Sequence, residues 1–347
     1  MSDSLTSYQR VVCALNKEEP DRVPIFEWSI DEKVRNAILG RECTYEYFAD
    51  QMELDAILVY PVMRKEYISS DTFIDEFGIE RRRAGDEPYP VPIRAPLQTE
   101  KDVKKFVPAD PLASYRMDQL KNVVSRFKGN KFIVFAVRDV FSWGRDLRGY
   151  ENWLVDLVLH PSIVHALVEM SVTWAIKLAK WAAKKGADAI FSGDDIADNR
   201  GPLFSPKVYR TFFWKPFKKL VHSVKEGGLY YIKHTDGNVW DLLDVLVDSG
   251  IDCIDPIEPS AGMDIGKVKR IYGKRVCLKG NIDCRTTLVR ETPKQVEDEV
   301  RKCISVASPG GGHILSSSNS IHSSVRPENY GAMINAAKKF GRYPIVC

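Results

Sequence analysis

His234-Thr235-Asp236 sets an imidazole and a carboxylate two residues apart, at the end of the apolar run Tyr230-Tyr231-Ile232. On an extended strand, residues i and i+2 point to the same face. Side by side, the two groups suit a divalent metal, zinc first. They equally suit a general acid/base pair, or a histidine held by a carboxylate for structural reasons. A metal needs a further donor, and Asn319, His322, Glu258 and Glu27 all lie near predicted strand ends. The residues alone leave that donor open among these four. Asp194 and Asp195, with Asp198 beyond, crowd carboxylates after Ala189-Ile190-Phe191. Neighbouring carboxylates repel, which raises one pKa and creates a proton donor. They also suit a metal or a cationic substrate, or the capping of the next helix. His234, Asp236, Asp194 and Asp195 are the expected catalytic residues.

Further polar residues follow later apolar runs. Asn238 follows Gly237, Asp255 and Glu258 flank Pro256, and Asn281 and Asp283 follow Val276-Cys277-Leu278. Together they describe an acidic, amide-rich rim. Such a rim takes cations, metals or N–H donors more naturally than free phosphate or polycarboxylates. Arg138, beside Asp139, reads as a substrate clamp or an internal salt bridge. Trp28, Tyr60, Phe141 and Trp143 offer either an aromatic pocket wall or packing. Where they do not ligate a metal, Glu27, Glu258 and His322 are expected to contact substrate.

The elements that must position these groups are legible as a rhythm. Eight short apolar runs each end in polar residues, with helical patterns between them. That is the pattern of a (β/α)8 TIM barrel, whose active site gathers at the C-terminal ends of its strands. Strand one is predicted at Val23–Trp28, led in by Pro20-Asp21-Arg22-Val23-Pro24. Strand two is predicted at Leu54–Val62, strand three at Phe132–Val137, and strand four ends at Ser192. The later runs supply strands five to eight. A helix at Ser4–Asn16 forms an N-terminal extension. The texture from Asp75 to Gln98, punctuated by glycine and proline, predicts a small inserted β segment on the barrel rim. Ile163, Leu167, Met170, Trp174, Leu178 and Trp181 recur at helical spacing and predict a helix over His160–Lys185. Ser205-Pro206 and Thr292-Pro293-Lys294-Gln295 read as helix starts. Gly310-Gly311-Gly312 precedes strand eight and reads as a turn. A doubly wound sheet is the rival fold, but no glycine-rich phosphate fingerprint follows strand one. Residues 1–347 thus read as one barrel domain with the 75–98 insertion.

Composition narrows the class. The formal net charge of the 347 residues is +3, with acids and bases interspersed. No basic block suits a phosphate backbone, so no nucleic-acid partner is expected. No apolar run approaches the ~20 residues of a membrane span, and Met1 to Arg10 lacks a signal-peptide core. A cytoplasmic protein is expected. The seven cysteines are scattered without a CxxC, which reads as reduced thiols.

The chain resembles the uroporphyrinogen decarboxylase superfamily. The residues that carry the resemblance run in order along nearly the whole chain. They are Pro20-Asp21-Arg22-Val23-Pro24, Gly193-Asp194-Asp195, Ser205-Pro206 with Tyr209-Arg210, and His234-Thr235-Asp236-Gly237-Asn238. Gly280-Asn281-Ile282-Asp283 and Val325-Arg326-Pro327-Glu328-Asn329 complete the set. The resemblance implies a (β/α)8 barrel and two kinds of activity: cofactor-free porphyrinogen decarboxylation, and zinc-assisted methyl transfer to or from a corrinoid. The decarboxylases carry an arginine-rich loop after strand one; here the segment is Phe26-Glu27-Trp28-Ser29-Ile30-Asp31. Their strand two ends in Ser-Asp; here it ends Val59-Tyr60-Pro61. A substrate with eight carboxylates needs cationic partners, so the methyltransferase branch is the better match. Its coenzyme M enzymes hold zinc with His-x-Cys and a later Cys. Here His234 matches, Asp236 stands at the first cysteine, and Asn319 falls near the second. A thiolate-poor site suits polarising an ether or amine methyl donor more than activating a thiol. The resemblance therefore implies transfer of a methyl group from a small O- or N-methyl donor to the Co(I) of a separate corrinoid protein. Decarboxylation is the alternative, and a non-catalytic binding barrel a third reading. Members of the superfamily are often dimers, so a homodimer is within expectation.

Overall fold

The computed structural model describes residues 4–83 and 89–345. Gly85-Asp86-Glu87, Met1 to Asp3 and Cys347 lie outside them. The strand β1 (Ala56–Val59) leads into an antiparallel excursion of β2 (Lys65–Tyr67), β3 (Thr72–Asp75), β4 (Glu80–Arg82) and β5 (Val91–Arg94). The chain returns with β6 (Phe132–Val137) and β7 (Ala189–Gly193). A short ribbon of β8 (Ala197–Asp198) and β9 (Gly201–Pro202) precedes β10 (Tyr230–His234), β11 (Cys253–Asp255), β12 (Cys277–Ile282) and β13 (His313–Ser317). One parallel sheet runs β1-β6-β7-β10-β11-β12-β13, in chain order. Its strands are buried on both faces, as helices packed outside a parallel sheet require.

The eighth position is filled by the segment after Arg22. Ile25 bridges Leu315 of β13 in parallel. Leu315 N–H donates to the Pro24 carbonyl at 2.9 Å, and Phe26 N–H donates to the Leu315 carbonyl at 3.1 Å. On the other side Asp55 N–H donates to the Ile25 carbonyl at 2.8 Å. The barrel is closed, and the fold is a (β/α)8 barrel. The predicted strand over Val23–Trp28 is extended chain with a single bridge, because Pro24 has no N–H for a ladder. The Asp55 side chain reinforces this seam. It accepts from Ile25 N–H at 2.8 Å, from Arg10 at 2.6 Å and from Arg22 at 2.8 and 3.0 Å, all buried.

Below the seam, the helix Ser7–Leu15 presses Val11, Ala14 and Leu15 against Phe26, Leu58, Phe132, Ile232 and Ile314. The N-terminal extension thus plugs the floor of the barrel. The inserted sheet begins at Lys65, earlier than the predicted Asp75. Lys65, Glu66 and Tyr67 are exposed throughout and show no inward-outward alternation to mark a strand. The long helix spans Pro161–Lys184, and by length and composition it is apolar enough to cross a membrane. This corrects the expectation that no run approaches that length. Leu167, Val172, Ala175, Leu178 and Ala182 are buried along it, which makes it a core helix. Ser205 accepts from Val208 N–H, and Thr292 and Gln295 form a reciprocal capping box.

Removing Asp55 leaves two arginines buried without this carboxylate. Asp55→Ala is therefore expected to cost about 3–5 kcal/mol of unfolding free energy. Urea unfolding followed by circular dichroism checks it; a loss below about 1 kcal/mol contradicts the seam's role.

Candidate active site

Alternation along the strands builds the site in layers. Ile232, Cys253 and Cys277 belong to the apolar floor. Two residues further along each strand, His234, Asp255 and Lys279 face the same interior, and each is 1% exposed. Asp255 joins them: its Oδ2 lies 2.6 Å from His234 Nδ1, and Lys279 Nζ donates to its Oδ1 and, at 3.2 Å, to Ser316 Oγ. Burial works against the Asp255 charge, but Lys279 and His234 outweigh it and hold its pKa below the usual value. Burial likewise opposes the charged form of His234, and Asp236, Asp255 and Asp195 together push its pKa up. The Trp28 ring packs against the imidazole at 4.3 Å between centroids, and Phe191 at 5.4 Å. Asp255 thus accepts from Nδ1–H, and Nε2 faces the mouth.

At the mouth, Nε2 faces Asp236 Oδ1 at 3.5 Å and Asp195 Oδ1 at 3.9 Å. His234 Nε2 and Asp236 Oδ1 are both buried with no hydrogen-bond partner among the described residues. Burial, with repulsion from Asp195, Glu258 and Asp255, lifts the Asp236 pKa to about 7 against the pull of His234. Two buried polar atoms left without hydrogen-bond partners and facing one another are a costly arrangement without a third body between them. The ligand atoms of Asp195, His234 and Asp236 lie within 4.8 Å of one another. Donors bound tetrahedrally at about 2.0–2.1 Å stand about 3.3–3.4 Å apart. These residues therefore form a set that fits a metal ion.

The Asn319 side chain is engaged by its neighbours. Its amide nitrogen donates to Asp236 Oδ2 at 2.7 Å, and its Oδ1 accepts from Ser320 N–H at 2.6 Å. It holds the aspartate, while Asp195 could supply a third ligand atom. Asp194 is also engaged elsewhere: buried, it accepts from the backbone N–H groups of Phe141 and Ser142 at the start of the helix Ser142–Arg148. Glu258 accepts from Gly237 N–H at 2.8 Å and from Ser260 at 2.7 Å, and lines the mouth. With Asp198, Arg200, Asp236, Arg285 and Asn319 it surrounds a cavity of about 510 Å³. Trp28 donates through Nε1 to the Tyr60 hydroxyl, which lies 3.1 Å from that of Tyr89. The Tyr89 ring stacks on Trp28 at 5.4 Å.

The remaining expected contacts are turned to other tasks. His322 Nε2 pairs with the Cys284 carbonyl at 3.0 Å. Asn281 donates to the Ile257 carbonyl at 2.9 Å, and Asp283 accepts from Arg285 and Thr286 in its own turn. Asn238 accepts from Trp240 N–H. Arg138 is in an internal salt bridge with Asp146, which also meets Arg81 and Arg145. Trp143 is core, packed edge-on against Phe77 at 4.1 Å. Glu27 is fully buried and bonded to Ser317. Sequence reasoning missed Lys279, which lies inside an apolar run, and Tyr89, which belongs to the insertion.

A closed barrel with a histidine and acids at its C-terminal mouth defines the class of TIM-barrel enzymes. The uroporphyrinogen decarboxylase (URO-D) family model matches residues 72–340, and the chain belongs to that family. It is 23% identical over 314 residues to the uroporphyrinogen decarboxylase of Psychromonas ingrahamii, covering 87% of this chain and 83% of that one. It is 24% identical over 363 residues to that of Coxiella burnetii, covering 95% and 94%. Among solved structures, a methyltransferase from Methanosarcina mazei superposes with a TM-score of 0.78 at 20% identity, covering 97% of this chain and 99% of that one.

Because the Asp255 charge raises the His234 pKa, Asp255→Asn is expected to lower it. An imidazole NMR titration of metal-free protein checks the direction; an unchanged or higher value contradicts the coupling.

Proposed function

We propose that this chain is a methyltransferase that moves a methyl group from a small O- or N-methyl donor to the Co(I) of a corrinoid carried by a separate protein. The observation that carries the reading is the pair of orphaned atoms, His234 Nε2 and Asp236 Oδ1, facing Asp195. His234, Asp236 and Asp195 would hold zinc, which as a Lewis acid would polarise the heteroatom that leaves the methyl group. Asp255 fixes the imidazole so that Nε2 faces outward, and Asn319 fixes the Asp236 carboxylate. Trp28, Tyr60 and Tyr89 wall one side. In the transfer the donor's C–O or C–N bond breaks with both electrons on the heteroatom. The new bond uses the Co(I) electron pair, and the leaving heteroatom takes up a proton. The open mouth gives the corrinoid protein its approach. Likeness to the methyltransferase fold supports this reading.

The names of the curated relatives favour a second reading, porphyrinogen decarboxylation. The chemistry of the cavity opposes it. Asp198, Asp236 and Glu258 stand there against Arg200 and Arg285, a poor host for a substrate with eight carboxylates.

Protein purified without oxygen or chelator is expected to hold close to one zinc per chain, and His234→Ala close to none. It is expected to convert cob(I)alamin to methylcobalamin with an O- or N-methyl donor, with at least a hundredfold loss in His234→Ala. No zinc uptake by folded wild type removes the Lewis-acid mechanism, and coproporphyrinogen formation establishes the second reading instead.

A further inference from the structure

Glu27 is a carboxyl group with no place in the chemistry above, yet it is fully buried one residue from the Trp28 wall. Its Oε1 accepts from Ser317 N–H at 2.9 Å, and its Oε2 lies 2.7 Å from Ser317 Oγ. Ser317 Oγ also contacts the Asn319 carbonyl. The Asn319 amide in turn holds Asp236 at 2.7 Å. Ser317 and Asn319 thus link a buried acid to the candidate metal centre.

A proton count decides the state of that acid. Ser317 has one hydroxyl hydrogen and two oxygen neighbours at bonding distance, the Glu27 carboxyl and the Asn319 carbonyl. If Glu27 is ionised, one of the two contacts sets lone pairs against lone pairs. If Glu27 is protonated, it donates to Ser317 Oγ, and Ser317 donates to Asn319. Both contacts are then satisfied. The surroundings agree. Tyr45, from the helix Tyr45–Gln51, gives its hydroxyl to the Glu27 backbone carbonyl. Tyr330, from the helix Pro327–Phe340, is buried beside it, and its hydroxyl has no partner among the described residues. Lys279 of β12 is committed to Asp255 and Ser316, Asp255 of β11 adds negative charge, and Cys284 is a buried thiol. Burial, opposed by Lys279 and the Ser317 bonds, places the Glu27 pKa at about 7.

We propose that protonated Glu27 is a positioning residue for the metal centre, acting through Ser317 and Asn319 to aim Asp236. Ionisation turns the Ser317 hydroxyl to the carboxylate and frees the Asn319 carbonyl, which loosens the strand end that carries the Asp236 contact. The sign follows from a raised folded-state pKa: the arrangement is complete below about 7 and is lost as pH rises through it.

The inference rests on the metal reading of the site. The test is Co(II) and zinc affinity of the full chain, measured by competition with a chromophoric chelator from pH 6 to pH 8.5. Glutamine can donate to Ser317 Oγ and accept from its N–H, as the neutral acid does. Glu27→Gln is therefore expected to match wild type within about twofold at pH 6. Above pH 7 it should bind more tightly than wild type, and this advantage should vanish in a Ser317→Ala background. Glu27→Ala should bind about 10–100-fold more weakly. If Glu27→Ala does not fold, the glutamine comparison alone decides. Wild-type affinity in folded Glu27→Ala, weakened binding by Glu27→Gln at pH 6, or a pH-independent ratio of Glu27→Gln to wild type overturns the role of Glu27. Failure of wild type to bind either ion overturns the metal reading, and this inference with it.

Discussion

Asp255 is shared between Lys279 and His234, and the mouth depends on that division. One carboxylate oxygen meets the ammonium and the other meets Nδ1. A carboxylate buried without a cation would be neutralised or expelled. With Lys279 beneath it, Asp255 keeps its charge inside the barrel and fixes both the tautomer and the tilt of the imidazole. The acids above then face one ordered ring, and their charges favour its protonated form. Without that ordered ring, Asp195 and Asp236 would be two loop acids with no common target.

Much of this was legible in the chain. Polar residues following apolar runs identified the barrel and the end at which those residues gather. The i, i+2 spacing placed His234 and Asp236 on one face, and β10 realises it. Other features were not legible, for physical reasons. Asn319 was expected to ligate from its place near a strand end, but an amide has a donor as well as an acceptor, and here the donor meets Asp236. Asp194 and Asp195 are adjacent in sequence yet face different tasks, since neighbouring positions at a strand end diverge. Lys279 reads as an interruption of an apolar strand until the third dimension shows the carboxylate opposite it. Trp143 is large, aromatic and near a strand end, which describes a core residue as well as a pocket wall.

The barrel also separates stability from chemistry along its axis. The lower interior is apolar, sealed by Val11, Ala14 and Leu15 from the N-terminal helix. The seam beside it is held by Asp55 and two arginines. Unsatisfied polar atoms and crowded acids lie higher, at the open end. Such local conflicts are expected where a sequence serves function rather than folding. They are tolerated here because the closed sheet below fixes the strand ends that carry them.

The inserted sheet gives the mouth a second origin. Trp28 and Tyr60 come from the barrel's own strand ends, but Tyr89, stacked on Trp28, comes from the approach to β5. One wall is thus assembled from two structural units that have separate hydrogen-bond ladders. Sequence change within the excursion can reshape the entrance while the barrel, its seam and its charged interior stay as they are. A lineage can therefore alter what the mouth admits by varying a surface appendage, without rebuilding the barrel beneath it.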